Sequence, residues 1–347
     1  MIDHPISLVH FRMLELSQTR IEALSKAFCS ARIAVVGDLM LDRYTFGSVS
    51  RISPEAPVPV LEIENEQARL GGAANVGHNI VGLGATPLML GVVGDDTSGL
   101  ILKGIFTDLG FPLDGLITDS SRPTTVKTRV IAGSQQMLRL DHEVKHEISR
   151  ETEARLLQVL EEHLDDLDGI ILEDYNKGVI TRNVIHKTIE LGRTRGIPVL
   201  VDPKSQNFFE YQGCTVFKPN RKEVEDAMGL RLHSDEETIA AGLRLLEMLK
   251  AQNVLLTLGE KGMMLFEHGE TEPFAIPTRA REVADVSGAG DTVIATLAVS
   301  MACGTSVRES AVLANRAAGL VIEELGIVPI YREQLVAAIL EDINEQV

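Results

Sequence analysis

Short apolar runs alternate along this chain with longer stretches of helical periodicity. Ile33-Ala34-Val35-Val36 is continuously apolar and closes on Gly37-Asp38, the pattern of a strand buried on both faces that feeds a loop. Similar strand-like runs recur at 87–93, Gly169–Leu172, Pro198–Val201, Thr215–Phe217, Val254–Thr257 and Met263–Phe266. Between them lie segments predicted as helices: 73–83, 97–109, 181–194, 221–228, 234–251, 289–303 and 308–325. A leading helix is predicted over 11–28, with Met13, Ile21, Leu24 and Phe28 among its apolar positions. Strands alternating with helices of this length predict an α/β fold with a doubly wound, mostly parallel sheet flanked by helices.

Two stretches break the alternation. Residues 44–70 include the extended run Pro57-Val58-Pro59-Val60-Leu61-Glu62-Ile63-Glu64. Residues 124–141 read as a hairpin turning at Ala132-Gly133-Ser134. No helix follows either stretch, so both are expected in a small β-sheet lid spanning about 44–70 and 122–141. The expected division is a leading segment 1–30 and one domain over 31–347.

Composition narrows the function. The chain has 347 residues, 44% hydrophobic, and a formal net charge of −17. Repulsion on that scale argues against nucleic acid or an anionic membrane as partner, while a small anion held by a local basic cluster stays open. Cys29, Cys214 and Cys303 are far apart and lack CxxC spacing, so neither a disulfide framework nor a structural zinc site is expected. His78, His142, His163 and His186 likewise lack metal spacing. With neither an 18-residue apolar run nor a secretory signal pattern, a cytoplasmic location is expected.

The chemistry concentrates at Gly288-Ala289-Gly290-Asp291, ahead of the apolar helical run Thr292–Ser300. Small residues let backbone approach a ligand, and N–H groups at a helix start favour an anion. A carboxylate in that turn could take a proton from an acceptor hydroxyl beside a phosphoryl group. Read by itself, the same turn would serve equally as a helix start with a capping Asp. No GxxxxGK[ST] loop and no protein-kinase signature occur.

The wider pattern is similar to a known family. Asp285–Asp291 resembles the C-terminal signature of the ribokinase-like (PfkB-type) sugar kinases, and Gly71-Gly72-Ala73-Ala74-Asn75-Val76-Gly77 their N-terminal signature. Asn220-Arg221-Lys222-Glu223 resembles their NxxE motif, and Thr257-Leu258-Gly259-Glu260-Lys261-Gly262 their nucleotide loop. Gly37–Tyr44, Ser50–Val60, Asp174–Gly178, Val201–Lys204 and Lys218–Asn220 resemble one branch, the kinases of D-glycero-β-D-manno-heptose 7-phosphate. That resemblance implies ATP-dependent phosphorylation at O1 with Mg²⁺, serving ADP-heptose and lipopolysaccharide core synthesis. Some members carry a fused adenylyltransferase; this chain resembles the single-function form.

The resemblance assigns roles. Asp291 is the base, with Gly288, Ala289 and Gly290 as anion hole. Asp42, in the loop after the first strand, grips sugar hydroxyls with Gly71, Gly72, Asn75 and Asp141. Asn220, Glu223, Thr257, Gly259, Gly262 and Asn315 lie on the nucleotide side, Glu223 meeting Mg²⁺ through water. The spacing of Asn220 and Glu223 also suits a reciprocal helix cap. Alternation places Lys127 and Arg129 on one strand face and Arg139 and Asp141 on one face of the next. With Lys177, these cations are candidates for a substrate phosphate, although exposed strands also carry Lys and Arg to deter edge pairing. The expected partner is a small sugar phosphate, and lids of this family imply a homodimer. The alternatives are a kinase of the same family acting on ribose, fructose 6-phosphate or a nucleoside, and a non-catalytic sugar-binding regulator.

Overall fold

The computed structural model describes residues 17–278, 284–324 and 326–345. Its strands are β1 (Arg32–Gly37), β2 (Leu39–Ile52), β3 (Pro59–Gly72), β4 (Thr86–Val93), β5 (Leu116–Thr118), β6 (Thr125–Ala132) and β7 (Gln135–His142). β8 (Gly169–Glu173), β9 (Val199–Asp202), β10 (Val216–Phe217), β11 (Asn253–Thr257), β12 (Met263–Glu267) and β13 (Phe274–Ile276) follow. The helices are α1 (Gln18–Phe28), α2 (Ala73–Gly82), α3 (Thr97–Asp108), α4 (Arg150–His163), α5 (Arg182–Arg195), α6 (Arg221–Met228), α7 (Asp235–Leu249), α8 (Ala289–Ala302), α9 (Val307–Val321) and α10 (Arg332–Asn344). The expected leading helix is present from Gln18 onward; Met13 lies outside the described residues.

Nine strands form the main sheet in the order β13-β12-β11-β10-β9-β8-β1-β4-β5. Pairing is parallel from β11 through to β5, and antiparallel only at the β11-β12-β13 edge. The apolar run of β1 explains why both faces are covered. Ile33 and Val35 enter the core beneath α2, α8 and α9, while Ala34 and Val36 enter the opposite core with residues of α4, α5 and α7. From β1 the chain moves outward through β4 and β5, then returns to β8 and proceeds the other way. The strand order therefore reverses between β1 and β8, and ligands of open α/β sheets bind at the carboxyl ends of strands at such a point. No helix among the described residues is long and apolar enough to cross a membrane.

The lid forms as a second sheet in the order β3-β2-β6-β7. One expectation needs correcting: Asp42 does not lie in a loop. β2 starts two residues after β1 ends, and Asp42 sits inside it, paired in register with Arg69 of β3 and Lys127 of β6. The apolar run Leu39-Met40-Leu41 that follows Asp38 is buried strand, so lid and main sheet are nearly continuous in the chain. The elements not predicted from the sequence are β5, α4, β13 and α10; of these β5 and β13 are too short to show a period.

Candidate active site

Parallel register sets a row of residues across the carboxyl ends of neighbouring strands. Gly37 ends β1 opposite Glu173 of β8, and Glu173 is opposite Asp202 of β9. Lys218 follows Phe217, whose β9 partner Val201 precedes Asp202, so it continues the row. Its ammonium lies 2.7 Å from Asp202 Oδ2, and both side chains are buried. Lys204, two residues beyond Asp202, lies 2.5 Å from Glu223 Oε1 and 3.7 Å from Asp202 Oδ1. Burial would lower the Lys218 and Lys204 pKa values, but the surrounding carboxylates, Asp202 first, hold both above the ordinary lysine value.

α8 lies over this row and brings Asp291 to it. Gly288 caps the helix at φ 82° with no side-chain cap, and Asp291 is the third helical residue. Asn75 Nδ2 donates to Asp291 Oδ2 at 2.7 Å, and the Tyr175 hydroxyl donates to Oδ1 at 2.8 Å. One turn further along α2 and one residue along α8, Thr292 Oγ1 donates to Asn79 Oδ1 at 2.9 Å. Two polar rungs thus fix α2 against α8 inside an otherwise apolar interface, where unpaired polar groups would be costly. Burial pushes Asp291 up to about 6; the Asn75 and Tyr175 hydrogen bonds oppose it. A carboxylate so tuned is a competent base near neutral pH.

Asp38, just past β1, accepts from the backbone N–H groups of Tyr175, Lys177 and Val179 at 2.8, 3.0 and 3.1 Å. It holds the loop after β8 in place, and through that loop Tyr175. Asp174 is likewise fixed, accepting from Tyr211 OH at 2.7 Å and Asn176 N–H at 2.7 Å. Burial, with Asp38 nearby, raises it to about 6.

The sugar-side candidates gather where the lid meets the main sheet. Arg129 donates to Asp42 Oδ1 at 2.8 Å and lies over the Tyr44 ring. A Cβ on Gly71 would lie 2.6 Å from Asp42 Oδ2, so that carboxylate can sit here only against glycine. Lys177 and Lys127 converge on Glu143, at 2.7 and 3.5 Å. Burial would raise the Glu143 pKa, but Lys177, then Lys127 and Lys145, hold it below the usual carboxylate range. Arg139, on the exposed strand β7, forks onto the Asp141 carboxylate at 2.8 and 2.9 Å. Each nominated cation therefore has a carboxylate partner.

On the opposite side, Asn220 and Glu223 form a reciprocal cap at the start of α6, with bonds of 2.8 and 2.9 Å. The structural reading of that spacing is realised, and the other Glu223 oxygen holds Lys204. Asn220 bridges to Thr257 at the end of β11, extending the same sheet edge. Gly259 and Gly262 flank the tight turn between β11 and β12, at φ 63° and 86°. Asn315 Nδ2 donates to Pro277 O at 2.8 Å, tying α9 to the segment after β13.

Sequence reasoning assigned no role to Asp38, Glu143, Glu173, Tyr175, Asp202, Lys204 or Lys218. A signal existed for most of them. Asp38, Glu173, Asp202 and Lys218 each stand at or just beyond the carboxyl end of an apolar strand, where α/β sites form. Glu143 follows Asp141 by two residues and so continues its strand alternation. Among the described residues, Glu173, Asp202 and Asp291 form a carboxylate group with one oxygen of each within 4.8 Å of the others. These hard oxygen donors suit a divalent cation such as Mg²⁺.

Solved structures share this architecture. Arabidopsis thaliana ribokinase, complexed with ribose and ATP, is similar with a TM-score of 0.70 over 89% of this chain and 98% of its own, at 22% identity. Escherichia coli phosphofructokinase-2 in complex with potassium gives 0.72 over 90% and 99%, at 18% identity. In sequence, the chain is 44% identical over 310 residues to the bifunctional protein HldE of Desulfatibacillum aliphaticivorans, covering 89% of this chain and 63% of that protein. It is 46% identical over 305 residues to HldE of Caulobacter vibrioides, covering 87% and 62%. The chain thus spans less than two thirds of the length of these curated relatives. The sequence pattern of the pfkB family carbohydrate kinases matches residues 30–331, and by that match the chain belongs to this family.

Proposed function

We propose that this chain transfers the γ-phosphoryl group of ATP to O1 of D-glycero-β-D-manno-heptose 7-phosphate, giving heptose 1,7-bisphosphate for ADP-heptose and lipopolysaccharide core synthesis. The observation that carries the reading is Asp291: a buried carboxylate at the head of α8, held by Asn75 and Tyr175, with a pKa of about 6. The branch resemblance of Gly37–Tyr44 and Ser50–Val60, together with the kinship to the HldE proteins, supports the choice of acceptor.

In this reading Asp291 takes the O1 proton as the phosphoryl group arrives, and the N–H groups of Gly288–Asp291 receive its developing charge. Asp42 and Asn75 orient the sugar hydroxyls. Lys127, Arg129 and Lys177 exchange their present carboxylate partners for the 7-phosphate, an anion that such cations bind well. Lys218 and Lys204 face the phosphates of the nucleotide, whose base lies toward Gly259, Gly262 and Asn315. Mg²⁺, met by Glu223 through water, would supply charge neutralisation to the phosphates. The lid carries exposed apolar side chains on its edges, Ile52, Val58 and Ile63 on one side and Met137, Leu138 and Leu140 on the other. A second copy of the chain covering them is the homodimer we propose.

An ADP-release assay across acceptors tests this reading. Turnover is expected with heptose 7-phosphate well above ribose, fructose 6-phosphate or nucleosides. A preference for one of those acceptors would replace the substrate assignment, and turnover with none would favour the sugar-binding alternative.

A further inference from the structure

Glu173 is a member of the strand-end row to which the phosphoryl-transfer scheme gives no role. Its side chain is wholly buried, and neither carboxylate oxygen has a hydrogen-bond partner. A carboxylate buried in that state is costly unless something charged or protic meets it. The fold makes deliberate room for it. A Cβ on Gly37, opposite it in the sheet, would lie 2.9 Å from the Glu173 Cβ and 2.3 Å from its carbonyl oxygen. Parallel register then aims Glu173 beside Asp202, and α8 delivers Asp291 from above.

We infer that Glu173 and Asp202 bind one divalent cation through their carboxylate oxygens directly, beside the Asp291 carboxylate, and that they do so without nucleotide. Two independent features point there. The first is the pair of orphaned Glu173 oxygens, one of which lies within 4.8 Å of oxygens from both other carboxylates. Oxygens around a six-coordinate Mg²⁺ sit about 3–4 Å apart, so rotation of the side chains by about an ångström completes the set. The second is charge. Four carboxyl groups, Glu173, Asp202, Asp291 and Glu223, stand against two ammonium groups, Lys204 and Lys218, and one divalent cation is the charge that would let all four ionise in balance. Glu223 stands outside the group of carboxylates whose oxygens lie within 4.8 Å of one another. The site concerns the phosphoryl end of the cleft and does not depend on which sugar is the acceptor.

The test is Mn²⁺ binding to the full chain in the absence of nucleotide, read by electron paramagnetic resonance. The wild type is expected to take up one Mn²⁺ tightly. E173Q, which keeps shape but removes the charge, is expected to weaken that binding at least tenfold, and the surface control E190Q, on the far side of α5, to stay within threefold of wild type. Thermal melting establishes that the variants fold. Uptake by E173Q equal to wild type would mean that Glu173 is a neutral buried acid and would overturn the site. So would a loss in E190Q as large as in E173Q. Crystals of the wild type soaked in Mn²⁺ give a variant-free check: an anomalous peak bonded to Glu173 supports the site, and a peak elsewhere in the cleft without Glu173 contradicts it.

Discussion

The Asn75 amide and the Asp291 carboxylate meet at 2.7 Å across the buried α2–α8 interface, joining two residues 216 positions apart in the chain. Asn75 Oδ1 has no hydrogen-bond partner, so the amide spends its donor on the carboxylate and keeps an acceptor in hand. This pairing joins the two family signatures physically.

Tyr175 holds the other oxygen of the proposed base. Its hydroxyl favours the ionised form of Asp291, and hydrogen bonds to charged groups contribute roughly 1.5–3 kcal/mol. Tyr175→Phe should therefore raise the midpoint of the acid limb of kcat/KM by about one pH unit. The comparison of pH–rate profiles for the two proteins decides it, and superimposable midpoints would remove Tyr175 from any role in tuning the base.

Activity and stability should respond to pH in opposite directions through the same group. Asp291 must be ionised to act, so kcat/KM should rise with pH through about 6 and level off above it. Its folded pKa lies above the unfolded value near 3.8, so its contribution to stability is fully present below that value and is lost as pH rises through about 6. By pH 8 the ionised group costs the fold up to about 3 kcal/mol. Asp291→Asn removes this cost, and Asn75 can turn its unused oxygen toward the new amide. Thermal melts should show the variant gaining on wild type between pH 5 and pH 8; a constant difference would contradict the linkage.

Lys177 and Arg129 are expected to serve the phosphorylated end of the acceptor. Lys177→Ala or Arg129→Ala should raise KM for heptose 7-phosphate by about tenfold or more while leaving KM for ATP within twofold. Steady-state kinetics with each substrate varied in turn measures both. Equal effects on the two substrates would place these side chains in lid architecture and not in phosphate binding.

The lid should be both the dimer contact and the moving part. Leu138→Asp puts a charge on its exposed apolar edge and is expected to shift the species seen in light scattering from dimer to monomer. A wild type that already runs as a monomer would dispose of the dimer. Hydrogen exchange across 125–142 should slow when the sugar phosphate binds, and unchanged exchange would count against closure.

The main sheet was legible because its strands are apolar on both faces and its helices are long enough to show a period. The lid was legible only as an interruption, since Ser48–Ile52 and Pro59–Asn65 are largely exposed on an edge and carry no burial pattern. The proposed base at Asp291 was legible through its glycines. Its neighbours were not, because Glu173, Asp202 and Lys218 come side by side only after parallel register has lined up β8, β9 and β10. The capping box at Asn220 shows the converse limit: one spacing serves a helix start and a ligand site alike, and the structure realises the first while leaving the residues on the sheet edge that the second needs.

The most direct test of the account follows the phosphoryl group itself. Wild type and Asp291→Asn are incubated with ATP, Mg²⁺ and D-glycero-β-D-manno-heptose 7-phosphate, and the products are followed by ³¹P NMR. Wild type should convert the monophosphate to a bisphosphate with one phosphate on the anomeric carbon. Asp291→Asn should bind ATP normally and form that product about 10²–10⁴-fold more slowly. A variant retaining a tenth of the wild-type rate, or a wild-type product without an anomeric phosphate, would contradict it.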